Sequence, residues 1–378
     1  MSFLDKYLAS LDDKIPGLAD DLTKIGLDEL ESDSSRGLAS YRARGGPGLL
    51  VPQRHGGIGA TAVEATHCVR ALGAIAPSLA VATTMHNFSV AALVSVEENF
   101  AGFEWMILDA IANERLLMSS AFAEGLTGHG MLTPTMTARK RDGFWLVTGS
   151  KKPCSLSRSM DLMSASVSLL DGDGEPGLGV IVIPATMAGI EVRPFWDSLV
   201  LRGAESDEVV LTDVEVADEL VMKLEESTGL SVDAVEAKGF LWFTLLISAA
   251  YVGMAGALAD KLLSARRGSA QDRVAVACEL EAATLGLERV ASLVDLGADV
   301  DALDLLPQAL IARYAAQGAI RRSVDLAVEC LGGMQFIKDP MVSYLATATH
   351  ALAFHPPSRR SVVDELEQTF AGLKMSIK

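Results

Sequence analysis

The sequence predicts a mainly α-helical chain with a β domain in its middle, and three observations predict it. Ala, Leu and Val dominate an apolar content of 49%, with aromatics at only 6%, a bias toward packed helices. Apolar residues recur at helical spacing near both ends of the chain. Between those ends, alternating runs separated by turn residues read as short strands. The resulting division is a helical region over 1–117, a β domain over 118–222 and a helical bundle over 223–378.

Leu4, Tyr7, Leu8 and Leu11 open the chain at helical spacing, and Gly45-Gly46-Pro47-Gly48 breaks the pattern. The run Val51 to Gly59 ends in Gly56-Gly57-Ile58-Gly59, which fits a tight turn or a close backbone approach. A helix is expected over 62–75, a second one capped by Ser78 and running to His86, and a third over about 102–115. Asp142-Gly143 marks a hairpin turn inside 135–149. Further strands are expected at 162–169, 179–184, 191–194 and 208–216. From Ser231 onward strand signals disappear. Periodic segments near 236–265, 272–297, 302–331 and 340–353 predict a bundle of four or more helices. The stretch Gly239 to Leu258 is long and apolar enough to cross a membrane. It carries Trp242, Thr244, Ser248 and Tyr251 within a long Ala-rich pattern, and is read as a buried core helix.

The formal net charge of −17 argues against nucleic acid or an anionic membrane as a partner. A phosphorylated small ligand needs only a local basic patch and stays open. Cys68, Cys154, Cys278 and Cys330 lie far apart without metal-like spacing, so no metal site is expected and all four are read as buried thiols of a reducing cytoplasm. The opening residues show no secretory signal.

Several motifs occur in an order that resembles the acyl-CoA dehydrogenase family of flavoproteins along nearly the whole chain. Val51-Pro-Gln-Arg-His-Gly-Gly-Ile-Gly59 is similar to a family turn, and Thr83-Thr-Met-His86 to a helix ending in histidine. Ala121-Phe-Ala-Glu-Gly-Leu-Thr-Gly128 resembles the strand and loop whose backbone contacts the flavin ring. Gly143-Phe-Trp-Leu-Val-Thr-Gly-Ser-Lys151, Leu201-Arg-Gly-Ala-Glu-Ser-Asp207 and Val210-Leu-Thr-Asp-Val-Glu-Val216 resemble segments of the β domain. Glu329-Cys-Leu-Gly-Gly-Met-Gln-Phe-Ile-Lys-Asp-Pro340 resembles the Gly-Gly segment near the family's C-terminus.

The resemblance implies a helical, β-barrel-like, four-helix-bundle architecture and an FAD cofactor. Phe122, Glu124 and Gly128 fall in the ring-contacting loop, Ser155 takes the position of the N5-side donor, and His86, His129 and Phe243 are the candidate substrate contacts, with a structural role the other reading of the two histidines. Gly332 and Gly333 fall where the family helps bind a neighbouring subunit's cofactor, with a helix-ending glycine pair as the weaker reading. Arg266 and Arg273 stand where family residues hold that neighbouring FAD, with solvated charges at a helix end as the other reading. A homodimer or homotetramer follows from a shared site.

Departures concentrate on the reactive centre. Pro153 replaces the Trp that covers the ring, and Gly128-His129-Gly130 replaces Gly-Ser-Asp. His355, followed by Pro356, stands where the family often has its catalytic Glu, and Phe243 stands at the second known position of that base. The main expectation is α,β-dehydrogenation of an acyl thioester, bound to CoA or a carrier protein, with His355 or a substrate-borne group as base and an electron-transfer flavoprotein as acceptor. The alternative is a monooxygenase of the same fold that takes reduced flavin from a flavin reductase and hydroxylates N, S or C. In that reading His355 is a hydrogen-bond donor. A non-catalytic role for the fold is the third reading.

Overall fold

The computed structural model describes residues 3–99, 102–125, 133–172, 176–224, 232–297, 302–373 and 375. Seven helices open the chain: α1 Asp5–Lys14, α2 Leu18–Ile25, α3 Leu27–Leu30, α4 Gly37–Ala43, α5 Ala62–Ile75, α6 Pro77–Asn99 and α7 Glu104–Asn113. A capping box fixes the start of α5, with Thr61 and Glu64 exchanging side-chain and backbone hydrogen bonds. The helix expected to be capped by Ser78 begins instead at Pro77, whose fixed φ suits a first helical position. Ser78 N–H and Oγ both donate to the buried carboxylate of Glu31, at 2.9 and 2.5 Å.

Eight strands follow: β1 Met118–Ala121, β2 Thr137–Arg141, β3 Phe144–Cys154, β4 Leu162–Leu170, β5 Gly177–Pro184, β6 Ile190–Arg193, β7 Asp207–Ala217 and β8 Val221–Leu224. They form one mixed sheet in the order β6-β7-β3-β2-β4-β5-β8, with β1 parallel to β4. The hairpin turns at Gly143, whose φ of 84° lies in the left-handed region. Short β8 was not anticipated; it pairs with β5 and closes that edge. Trp145, Val147, Ala165, Ile181 and Val214 meet in the core of this β unit.

The remaining helices are α8 Val232–Ser264, α9 Ala270–Val294, α10 Ala302–Leu331, α11 Gly333–Lys338, α12 Pro340–Ala348 and α13 Val363–Phe370. The apolar stretch of α8 is wholly buried inside the protein, as a core helix requires. Helices from both ends of the chain share one core through α8, where Leu72 and Val69 of α5 join Leu246 and Ala250. Cys68 and Cys154 are buried, but Cys278 is exposed on α9 and Cys330 is half-buried. The expectation of four buried thiols is therefore corrected for these two, because α9 and α10 each keep a solvent face.

Two glycines set the crossing of α5 and α8. A Cβ on Gly73 would stand 2.0 Å from the Ala250 carbonyl oxygen, and one on Gly253 would stand 2.0 Å from that of Arg70. Backbone touches backbone at both points, so no side-chain rotation relieves the clash. Gly253→Ala is expected to lower stability by about 3 kcal/mol, at the upper end of ordinary overpacking. Chemical denaturation measures this, with Gly239→Ala as control, since a Cβ there meets nothing within 4 Å.

Candidate active site

The sheet contributes one wall. β3 loses register with β7 between Lys151 and Cys154, and this irregularity carries Pro153 and Ser155 away from the ladder. The loop after β1 runs beside it, with Lys152 N–H donating to Ala123 O at 3.0 Å. Gly125 makes the approach possible: its φ is 65°, and a Cβ there would stand 2.6 Å from Lys152 Cγ. Ser155 is buried, its carbonyl accepting from Ser119 Oγ at 2.7 Å and its hydroxyl paired with Ser206 Oγ at 3.0 Å.

Glu124 belongs to the same loop, but its side chain turns into the β core. Its carboxylate accepts from the Lys151 ammonium, from Thr135 N–H at 3.2 Å and from Thr135 Oγ1 at 2.5 Å. Lys151 also reaches Ser166 Oγ at 3.2 Å. Burial pushes the Lys151 amine below its ordinary value, opposed by the Glu124 carboxylate. Both oxygens of the Glu124 side chain are committed to holding the loop on the sheet, which leaves the expected cofactor contact to the loop's backbone.

Helices contribute the other wall. Phe122 packs against Phe88 of α6 with ring centroids 6.4 Å apart, and Phe88 meets Phe243 of α8 edge-on at 5.4 Å. Phe243 in turn meets His355 at 6.2 Å, and the Tyr251 ring lies 5.5 Å from His355. The Tyr251 hydroxyl and His355 Nε2 are hydrogen-bonded at 2.9 Å. Below this ring, fully buried Arg313 of α10 donates to Leu352 O, His355 O and Pro356 O at 3.4, 2.5 and 2.9 Å. Tyr314 OH donates to Pro357 O at 3.0 Å. Burial, reinforced by the Arg313 charge, pushes the His355 imidazole down to about 3. At neutral pH the ring is uncharged and a weak base.

Thus Phe122, Phe243 and His355 belong to one chain of ring contacts through Phe88, while Ser155 is tied to β1 by Ser119. His86 does not join them with a usable nitrogen. It is fully buried, its Nδ1 accepting from Met118 N–H at 3.0 Å and its Nε2–H donating to Pro47 O at 2.9 Å. Of its two expected roles His86 takes the structural one, as a strut between α6, β1 and the Gly46–Gly48 turn, and not that of a substrate contact. Gly128 and His129 lie outside the described residues.

Arg266, Arg273, Gly332 and Gly333 form a second grouping. The turn after α8 packs on the end of α10, where a Cβ on Gly268 would meet Cys330 Sγ at 2.7 Å. One nitrogen of Arg273 donates to the carbonyls of Arg266, Arg267 and Gly268. Gly332, at φ 83°, ends α10 and precedes Gly333 at the start of α11. About 20 Å of helix, at 1.5 Å per residue, separates this grouping from Tyr251, so one small ligand does not touch both in a single chain.

No protein-family model matches the chain. It is 43% identical over 365 residues to isobutylamine N-hydroxylase of Streptomyces viridifaciens, covering 96% of each chain. It is 26% identical over 342 residues to acyl-CoA dehydrogenase FadE12 of Mycobacterium tuberculosis (strain ATCC 25618 / H37Rv), covering 87% of this chain and 86% of that one. The chain belongs to the acyl-CoA dehydrogenase-like family of flavoproteins. FMN-bound TdsC from Paenibacillus sp. A11-2 has the same fold, with a TM-score of 0.78 at 19% identity over 99% of this chain and 98% of that one. Of the two enzymatic expectations from sequence, the N-hydroxylase relative supports the monooxygenase alternative better than acyl dehydrogenation.

The site fits the polar edge of a flavin. Among the described residues, the backbone N–H groups of Ala123, Glu124 and Gly125 meet no acceptor, leaving a run of donors. Sequence reasoning missed Phe88, Tyr251 and Arg313. Arg313 did leave a signal: it falls on the apolar stripe of α10 with Leu306, Leu310, Ala316 and Ile320.

Two measurements follow from these contacts. Glu124→Leu strands a buried ammonium and is expected to cost about 3–5 kcal/mol in denaturation, most of it recovered in the double variant with Lys151→Met. Burial also lowers His86 from 6.5 to about 4. Unfolded chains take up that proton across this interval and folded ones do not, so stability is complete above pH 6.5 and falls as pH falls toward 4. His86→Gln is expected to flatten the decline by about 3 kcal/mol in denaturation curves taken across that range.

Proposed function

We propose that this protein is a reduced-flavin-dependent monooxygenase that hydroxylates the nitrogen of a small aliphatic primary amine. The observation that carries this reading is the near-full-length similarity to isobutylamine N-hydroxylase. Local chemistry supports it. Phe243 and His355 occupy the two positions where the family's base is expected, and neither is a carboxylate. An imidazole held down at about 3 is poorly suited to removing the α-proton of a thioester.

FAD is the cofactor of this reading. The N–H groups of residues 123–125, which meet no acceptor among the described residues, and the Ser155 hydroxyl would hold its ring edge. Bound and reduced, the flavin supplies the two electrons with which dioxygen divides between the amine nitrogen and water. Phe88, Phe122 and Phe243 provide an aromatic wall that suits a short alkyl chain and excludes solvent. The Arg313 guanidinium, 5.9 Å from the centre of the Phe243 ring, disfavours a second cation nearby. It therefore favours the neutral amine, whose lone pair is the nucleophile. Gly332, Gly333, Arg266 and Arg273 would then meet the cofactor of a neighbouring subunit in a homodimer or homotetramer, and a flavin reductase would supply the reduced cofactor.

The purified protein, supplied with FAD, a flavin reductase and isobutylamine, is expected to yield a product heavier by one oxygen atom that reacts as a hydroxylamine. Anaerobic bleaching of bound FAD by a panel of acyl-CoA thioesters, with no hydroxylamine from any amine, would return the assignment to dehydrogenation.

A further inference from the structure

Tyr251 has one hydroxyl hydrogen and no exposure to solvent. Burial pushes its ionisation far above the ordinary value, so the phenol keeps that hydrogen. Among the described residues its hydrogen-bond partner is His355 Nε2, at 2.9 Å. Two arrangements are conceivable. If Nε2–H donated to the phenol oxygen, the Tyr251 hydrogen would be buried without an acceptor, a loss of about 1–3 kcal/mol. If the phenol donates, both groups are satisfied and the ring hydrogen resides on Nδ1. Arg313 offers donors only, so it provides no alternative acceptor.

Backbone contacts fix the rest of the geometry. Arg313 holds the carbonyls of Leu352, His355 and Pro356, and Phe243 stands edge-on to the imidazole. With its main chain clamped by Arg313 and one ring nitrogen clamped by Tyr251, His355 has its other nitrogen aimed in a single direction. Among the described residues no acceptor meets Nδ1.

We propose that Tyr251 is a positioning residue that holds His355 as the Nδ1–H tautomer, so that His355 meets its ligand as a hydrogen-bond donor to an oxygen atom. What the donor serves rests on the hydroxylase reading; the tautomer itself does not.

The test reads the tautomer directly. His355 is assigned in long-range proton–nitrogen spectra of the nitrogen-15-histidine-labelled, FAD-loaded protein by the signals lost in His355→Asn. His86 serves as an internal reference, because Met118 N–H at its Nδ1 requires the opposite tautomer. The expected result is Nδ1–H at His355 in the wild type and a shift toward Nε2–H in Tyr251→Phe. An Nε2–H pattern in the wild type, or a pattern unmoved by Tyr251→Phe, overturns the proposal. Turnover provides the second readout. Asn places its amide near Nδ1 and Gln near Nε2, so His355→Asn should keep at least tenfold more activity than His355→Gln, on the order of one hydrogen bond. The reverse order also overturns it. If no amine is hydroxylated by the wild type, the spectra still decide the tautomer, and only the assigned reaction falls.

Discussion

The contact on which the rest of the molecule depends is the backbone-to-backbone crossing of α5 and α8. Gly73 and Gly253 let each helix reach the other's carbonyl groups. Such a contact fixes translation along the helix as well as distance, because a glycine fits only where the facing backbone leaves room. α8 carries Phe243 and Tyr251 on that fixed frame. The partner of His355 is thus set by a packing constraint within one helical turn of it, and Phe243 by the same constraint about two turns away.

Polar ties then join the parts that hydrophobic packing leaves free to slide. Glu31 accepts from Ser78 of α6 and from Tyr344 of α12, and the same tyrosine oxygen accepts from Leu201 N–H at 2.8 Å in the β unit. Burial raises the Glu31 carboxyl, with three hydrogen bonds opposing it. Arg313 performs a similar task for the segment after α12, which has no extended strand or long helix to hold it. Both are buried charged groups whose value lies in geometry, since hydrogen bonds impose direction where apolar contacts do not.

The reactive region combines these constraints into a site of particular polarity. A clamped, uncharged imidazole stands among packed aromatic rings beside a buried guanidinium, an arrangement that disfavours proton abstraction by His355. Loss of a carboxylate at two positions in the sequence already pointed away from the family's usual base. The structure adds a physical reason why histidine does not simply replace it: desolvation beside Arg313 removes most of the basicity that makes imidazole useful near neutral pH.

Periodicity and turn chemistry made most of the fold legible. The Asp142-Gly143 hairpin, the helix ending at Ile75 and the buried character of α8 could be read from local patterns, because backbone propensity and hydrophobic spacing are local properties. Short β8 could not, since its strand character comes from pairing with β5. Motif order singled out Ser155, Phe122, Phe243 and His355 as candidates, and local patterns could not say what their side chains would meet. The inward turn of Glu124 and the commitment of both His86 nitrogens were not legible. Whether a carboxylate meets a cofactor or Lys151, and whether an imidazole meets a substrate or Pro47 and Met118, is settled by groups distant in sequence. The sequence by itself determined the layers, the family and the missing carboxylate. Tertiary structure alone decided which polar atoms remain available for chemistry, because hydrogen-bond partners and desolvation exist only after the chain has packed.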